Sequence, residues 1–363
     1  FEVMPTVDLL LEDITSRIGI DYDEMVKEMA AAAQADFFGD AYRIVPLTRS
    51  QEESCGDIAK KFHLFSGERG WRVSHRSAIN FIRQFPVNLR NQAIDLTLSG
   101  QLLSRVHFSP GIWASVKSLD EAGNKLIFCR FSPNSGNFIG MLFEQDAQDS
   151  LKKRGHEFCR NFAELDRALE ADKGRTVVFV DDQFASGSQA CAQLYQWSGT
   201  QRDEWPEDLR GERNIDLTEP SNRFKEFLRQ GKVVLAFLYG TEDGRAAIKG
   251  VAADLKFSTV AVEFGEELPS KTSLLSPEMK SFLESVGVEI LRHCRRNLVP
   301  DAKITETCKR DALGYGGKAS LIVTPYNAPS HAITAFWCPG KFRDLPWVPL
   351  FLRRGYRKHL VIG

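Results

Sequence analysis

Long apolar runs are missing from this chain of 363 residues. The longest fall far short of the ~20 residues a membrane-spanning helix needs, and the opening residues have no signal-peptide layout. An excess of one charge is missing too: 47 Lys and Arg meet 48 Asp and Glu, a formal net charge of −1. The chain as a whole therefore offers no electrostatic case for a nucleic acid or a membrane surface. Cysteine is sparse and odd in number, with seven residues at 55, 129, 159, 191, 294, 308 and 338. None forms a Cys-x-x-Cys pair or a metal-type Cys/His spacing, so no metal ligand set is expected. Reduced structural thiols in a cytoplasmic protein are the expectation. No internal repeat or low-complexity tract breaks the sequence, and none of the 7 histidines stands in a nucleophile–His–acid order.

What is present is an ordinary globular composition, 43% hydrophobic and 26% charged, in a chain long enough for one large domain or two. The first hundred or so residues read as helices. Val7, Leu10, Leu11, Ile14 and Ile18 share one helical face, and Asp21 caps a second helix through Met25, Met29 and Ala33. A further helical block runs from about Ser77 to Arg105, broken at Phe85-Pro86. From about residue 123 the pattern becomes α/β. Lys125–Phe131, the segment from Thr176, Lys232–Tyr239 and Thr259–Phe264 read as buried strands, with charged helical sequence between the first two through Ala171. The expected division is a helical region 1–115, an α/β core 116–352 with a polar insertion at 198–222 and a C-terminal hood at 313–352, and a basic tail 353–363.

Residues 177–190 are the most informative stretch: Val-Val-Phe-Val-Asp-Asp-Gln-Phe-Ala-Ser-Gly-Ser-Gln-Ala. Four apolar residues end in Asp181 and Asp182 at a strand's carboxyl end, where two acceptors suit a pair of sugar hydroxyls. Ala185, Ser186, Gly187 and Ser188 leave their amides unscreened, and a helix opens near Gln189. An anion can rest on those amides and on the helix's positive end. Together the parts make a site for a ribose 5-phosphate. Any doubly wound protein whose strand ends in Asp-Asp is the alternative. The turn Ser132-Pro-Asn-Ser135-Gly136, after the first α/β strand, offers a second small-residue loop.

This stretch resembles the 5-phosphoribosyl diphosphate (PRPP) loop of type I phosphoribosyltransferases, with Gln183 and Gln189 as departures from the usual apolar residue and Thr. The resemblance implies a phosphoribosyltransferase-like parallel-sheet core and a glycosyltransferase reaction. Asp181 and Asp182 would hold the ribose hydroxyls and act in catalysis. Ala185, Ser186, Gly187, Ser188 and Gln189 would wrap the 5-phosphate, and Ser135 and Gly136 would contact the diphosphate. It also implies Mg²⁺ carried by the diphosphate, and a basic residue near it; Lys152, Lys153 and Arg154 are candidates, with a solvated helix face as the alternative.

The C-terminal block narrows the resemblance. Gly314-Tyr-Gly-Gly317, Tyr326-Asn327-Ala-Pro329, Ala335-Phe-Trp337 and Trp347-Val-Pro-Leu-Phe351, with Ile82-Arg-Gln-Phe85-Pro86 upstream, are similar to phosphoribosyltransferase-like conflict effectors of bacterial, partly retron-type, antiphage systems. Asn327 and His331 are the ligand-facing candidates there, although Ser330-His331 departs from that family's pattern; Phe336 and Trp347 read as packing. The implied role is a toxic effector with an unspecified acceptor, and the implied partner is a reverse transcriptase with its non-coding RNA–DNA or another defence subunit. A PRPP or nucleotide sensor without catalysis, or a nucleic-acid-binding subunit using Lys341, Arg343, Arg353, Arg354, Arg357 and Lys358, stays open.

Overall fold

A computed structural model describes residues 43, 45–67, 70–103, 105–131, 135–172, 174–212, 215–257, 259–295, 301–325 and 327–353. The expected helices through Val7 and Asp21 lie outside the described residues. In chain order, helices α1 (Arg49–Lys61), α2 (His75–Ile82) and α3 (Arg90–Leu98) precede strand β1 (Gln101–Leu102). Next come α4 (Arg105–Ser115), α5 (Lys117–Glu121), β2 (Leu126–Arg130), α6 (Ser135–Lys153), β3 (Glu157–Cys159), α7 (Phe162–Ala171) and β4 (Thr176–Gln183). They are followed by α8 (Ser188–Ser198), α9 (Asn222–Gln230), β5 (Lys232–Gly240), α10 (Glu242–Asp254) and β6 (Val260–Glu267). Helices α11 (Pro277–Arg295) and α12 (Asp301–Asp311), strand β7 (Ile322–Val323), α13 (Thr334–Trp337) and the hairpin β8 (Gly340–Phe342) and β9 (Leu345–Trp347) complete the described chain.

These elements form two compact units, one from Leu103–Pro269 and one from the residues up to Leu102 together with those from Ser270 on. The division differs from the boundary expected at 115/116. Helix α4 packs against β5, β6 and α6, so it belongs to the sheet. Gly111 permits that approach, because a Cβ there would stand 2.1 Å from Leu238 Cδ2. Residues 270–352 join the early helices instead of the sheet. The cause is pairing between segments far apart in sequence, which a reading along the chain does not reveal.

The sheet unit carries five parallel strands in the order β3-β2-β4-β5-β6. It is an α/β fold, as the alternating pattern predicted. Strand β4 is buried from Thr176 through Asp182, and β5 is buried from Val233 to its end, which explains their continuous apolar runs. One face packs Val177, Phe179, Val233, Leu235 and Phe237 against α7 to α10, with Trp197 and Phe224 filling the space between. Each such side chain contributes about 1.5–3 kcal/mol by leaving water. The charged stretch expected as helix through Ala171 contains β3, three residues too short to give a strand signal. The polar insertion is anchored, since Trp205 and Ile215 bury themselves against Ala192 and Tyr195. At the amino end of β2, the Leu126 N–H donates to His156 Nδ1 (3.2 Å), and His156 Nε2 faces Asp120 Oδ1 at 3.0 Å.

In the other unit, Thr48 with Gln51 and Ser74 with Ser77 form the capping boxes that start α1 and α2. Strand β1 pairs with β7 in parallel, Gln101 opposite Ile322. Phe81, Phe85, Phe282, Phe336, Phe342 and Trp347 meet in one aromatic cluster, so Phe336 and Trp347 are packing groups. The Gln84 side chain joins the two sequence motifs: its Nε2 donates to the Val348 carbonyl, and its Oε1 accepts from the Val348 N–H, both at 2.7 Å. Gln84→Ala leaves both backbone groups unpaired and should cost about 2–4 kcal/mol, read as a lower midpoint in urea. An unchanged midpoint would show that water replaces both bonds. Among the described residues no helix is long and apolar enough to cross a membrane.

Candidate functional site at the carboxyl edge of the sheet

The chain leaves β2 for β3 on one side and returns for β4 on the other, so the order of connection reverses between β2 and β4. Ligands of open α/β sheets bind outside the strand carboxyl ends at such a point. Both small-residue segments emerge there. Strands β2 and β4 are hydrogen-bonded neighbours, Arg130 opposite Val180, and the Phe131 N–H donates to the Val180 carbonyl at 3.1 Å. Ser135 and Gly136 open helix α6 instead of closing the turn expected over 132–136, while 132–134 lie outside the described residues.

Asp181 and Asp182 end β4 with 3% and 8% of their surface exposed. Strand alternation puts Asp181 on the face of Val177 and Phe179, and Asp182 on the opposite face. Each carboxylate accepts from the next backbone N–H at 2.8 Å, Asp182 N to Asp181 Oδ1 and Gln183 N to Asp182 Oδ1. The strand's end is thereby fixed by its own carboxylates.

The turn that follows is held from behind. Phe184 points into the core, 4.6 Å from the Phe237 ring centre. The Thr241 hydroxyl donates to the Ala185 carbonyl and accepts the Gly244 N–H at 3.0 Å, so it ties the turn to the start of α10. Gly187 caps α8 with φ of +74°, in the left-handed region that favours glycine. A Cβ on it would stand 2.8 Å from both the Gly244 oxygen and Ile248 Cγ1. The Gly187 carbonyl is taken by the Cys191 N–H at 2.9 Å. With the carbonyls of Ala185 and Gly187 drawn inward, no hydrogen bond among the described residues takes up the N–H groups of Ala185, Ser186, Gly187 or Gln189. The Ser188 N–H meets only Ser186 Oγ, at 3.3 Å. Ser186, Ser188 and Gln189 are partly exposed, so the turn is not sealed beneath other protein. The arrangement can hold a small anion by its amides, beside two carboxylates that accept from hydroxyls.

Thr241 is not among the candidates from sequence; a Thr after Tyr-Gly at a strand end, three residues before a Gly, is the signal that could have found it. The basic candidates fare differently. Lys152 and Lys153 stand in the last turn of α6, about 28 Å from its start at 1.5 Å per residue, towards the strands' amino ends. Arg154 follows and pairs with Asp120. These are surface groups at the wrong edge. Arg130 and Arg160 stand at the carboxyl ends of β2 and β3, the same edge of the sheet, and both are directed to Glu144 of α6.

Asn327 and His331 belong to the other unit. The Thr324 N–H donates to the Asn327 carbonyl at 2.9 Å, and Asn327 Oδ1 is buried with no hydrogen-bond partner among the described residues. His331 is buried, and burial with Arg353 nearby pushes its pKa down to about 3. Burial also lowers that of His156. Both histidines are neutral when folded, and the unfolded chain takes up the protons first as pH falls. Their stabilisation is complete above the ordinary value of 6.5 and is lost below it, towards about 3 for His331. Stability should fall by up to about 1.4 kcal/mol per pH unit for each group below that point. His331→Gln should flatten the acid limb of a urea-midpoint titration; an unchanged slope would remove His331 as a cause.

The family model named PRTase-CE, for phosphoribosyltransferase conflict effectors, matches residues 79–353. The chain belongs to this family. The match spans the whole sheet unit and the motifs joined by Gln84 and Val348. No curated protein and no solved structure matches. As a PRTase-CE member the chain is a phosphoribosyltransferase-like effector, and its five-stranded parallel sheet agrees with that fold.

Proposed function

We propose that the carboxyl edge between β2 and β4 binds PRPP or a related ribose phosphate and transfers or releases its phosphoribosyl group. The observation that carries this reading is the set of backbone N–H groups of Ala185, Ser186, Gly187 and Gln189, without acceptors among the described residues, shortly after Asp181 and Asp182. The amides and the start of α8 hold the 5-phosphate, and the two aspartates hold the ribose 2- and 3-hydroxyls. Ser135 and Gly136, first in α6, present backbone amides to the diphosphate. Loss of diphosphate leaves positive charge at the anomeric carbon, and the barrier falls mainly through positioning and through charge stabilisation of the leaving group. Among the described residues no group of three or more His, Cys, Asp or Glu side chains could hold a metal ion. The likeness to type I phosphoribosyltransferases brings Mg²⁺ in with the substrate, bound to its diphosphate.

In the cell the chain acts as a toxic effector of an antiphage module, in company with a retron reverse transcriptase and its nucleic acid or another defence subunit. Asn327 and His331 are ligand candidates within their own unit; the buried Asn327 oxygen, without a hydrogen-bond partner among the described residues, supports a ligand role better than the buried neutral imidazole does. Calorimetry with magnesium PRPP, combined with a diphosphate-release assay, tests the reading. Binding with release supports it, and binding without release makes the protein a sensor. No binding overturns both. Mass spectrometry of an incubation with PRPP and cell extract then finds the acceptor as the species that gains a pentose phosphate.

A further inference from the structure

We propose that Cys129 and Cys159 form a peroxide-reactive dithiol, a modification site that closes reversibly to a disulfide. The two residues are direct register partners on the parallel strands β2 and β3, and their side chains fall on one face of the sheet, in one apolar cluster. Register partners on neighbouring strands stand about 4.8 Å apart, inside the Cα separations of about 4.4–6.8 Å that disulfides span. Both thiols also line a cavity of about 50 Å³, with Arg130, Arg160 and Asp216 among its polar residues and Trp197 in its wall. A water molecule takes about 30 Å³ in the liquid. The space therefore admits a small oxidant such as hydrogen peroxide.

The chemistry balances with peroxide as the oxidant. One thiolate sulfur attacks a peroxide oxygen, breaks the O–O bond and becomes a sulfenic acid, releasing the first water. The neighbouring sulfur displaces the sulfenic hydroxyl, forms the S–S bond and releases the second water. Two thiols lose two electrons and two protons, and one peroxide becomes two waters. Burial holds the Cys129 thiol well above its ordinary range, so the thiolate is scarce and peroxide must be in excess. Disulfide Cβ atoms prefer a separation of about 3.8 Å, so the strands must pinch together. Strained bonds of this kind are readily reduced, and the modification reverses. The bond would lie beside Arg130 and Arg160, the two residues that grip Glu144 of α6.

Peptide mapping of the full chain decides the matter. Purified protein is treated with excess hydrogen peroxide, its remaining thiols are alkylated, and the digest is read by mass spectrometry. The expected product links the Cys129 and Cys159 peptides with the loss of two hydrogens, and dithiothreitol separates them. Cys129→Ser and Cys159→Ser each abolish the link, while the mapping of unaltered protein needs neither variant to fold. Cys294 and Cys338, with sulfurs 3.9 Å apart, are the internal competitor. Alkylation of both Cys129 and Cys159 after peroxide, a stable sulfinic acid on one of them, or a Cys294–Cys338 link forming first would overturn the proposal.

Discussion

Gly187→Val should weaken the binding of ribose 5-phosphate by about a hundredfold or more while the sheet unit stays folded. The residue sits at φ of +74°, and a Cβ would press within 2.8 Å of the Gly244 carbonyl oxygen, a backbone atom that cannot swing aside. Left-handed backbone costs an L-residue about 1–2 kcal/mol, and a β-branched one more. The cheapest relief is for the turn at 185–188 to move. That relief turns the amides out of register with an anion. Charge-assisted hydrogen bonds contribute about 1.5–3 kcal/mol each, and each 1.4 kcal/mol is tenfold in affinity. Two misplaced bonds therefore account for the expected loss. Calorimetric titration with ribose 5-phosphate reads the affinity, and circular dichroism with the urea midpoint reads the fold. Wild-type affinity in a folded variant would show that the turn's amides do not hold the phosphate.

The second large effect belongs to the aspartates. Asp181→Asn with Asp182→Asn should lower diphosphate release from PRPP by about a thousandfold, or ~4 kcal/mol of barrier. Asn keeps an oxygen that can accept from the next N–H, so the local bonds at 2.8 Å persist and the strand end keeps its shape. What changes is charge: two carboxylate acceptors for ribose hydroxyls become amides, and the field beside the developing oxocarbenium disappears. Binding of inorganic phosphate should be unaffected or slightly stronger, because the variant removes negative charge near the anion. Unchanged diphosphate release, or toxicity retained on expression of the double variant, would count against catalysis at this edge. Loss of phosphate binding as well would point to a collapsed turn and not to ribose recognition.

Most of the sheet could be read from the chain because its strands are buried on both faces. Apolar runs such as Val-Val-Phe-Val need no partner information to be recognised as parallel strands. The Asp-Asp-Gln-Phe-Ala-Ser-Gly-Ser segment could be read for a related reason. Its chemistry is local, since the strand end, turn and helix start it joins are consecutive. Strand β3 was hidden, because three residues at a sheet edge carry no periodicity. The start of α6 at Ser135 is not legible in the sequence, because small residues suit a helix's first turn as well as a loop. Lys152 and Lys153 were attractive as a run, yet helix direction carries them to the far edge.

The sequence by itself determined the α/β class, the buried strands, the small-residue turn after its paired acids, and the family. Each follows from residue type and near-neighbour spacing, which the backbone expresses locally. Tertiary structure decided which segments share a unit, with β1 against β7 and Gln84 against Val348. It also set the order β3-β2-β4, which brings the starts of α6 and α8 to one edge, and placed Thr241 behind the turn. The physical reason is that a hydrogen bond or a packed ring pair depends on separation in space, and chain entropy lets residues hundreds of positions apart become neighbours once burial compensates for the ordering.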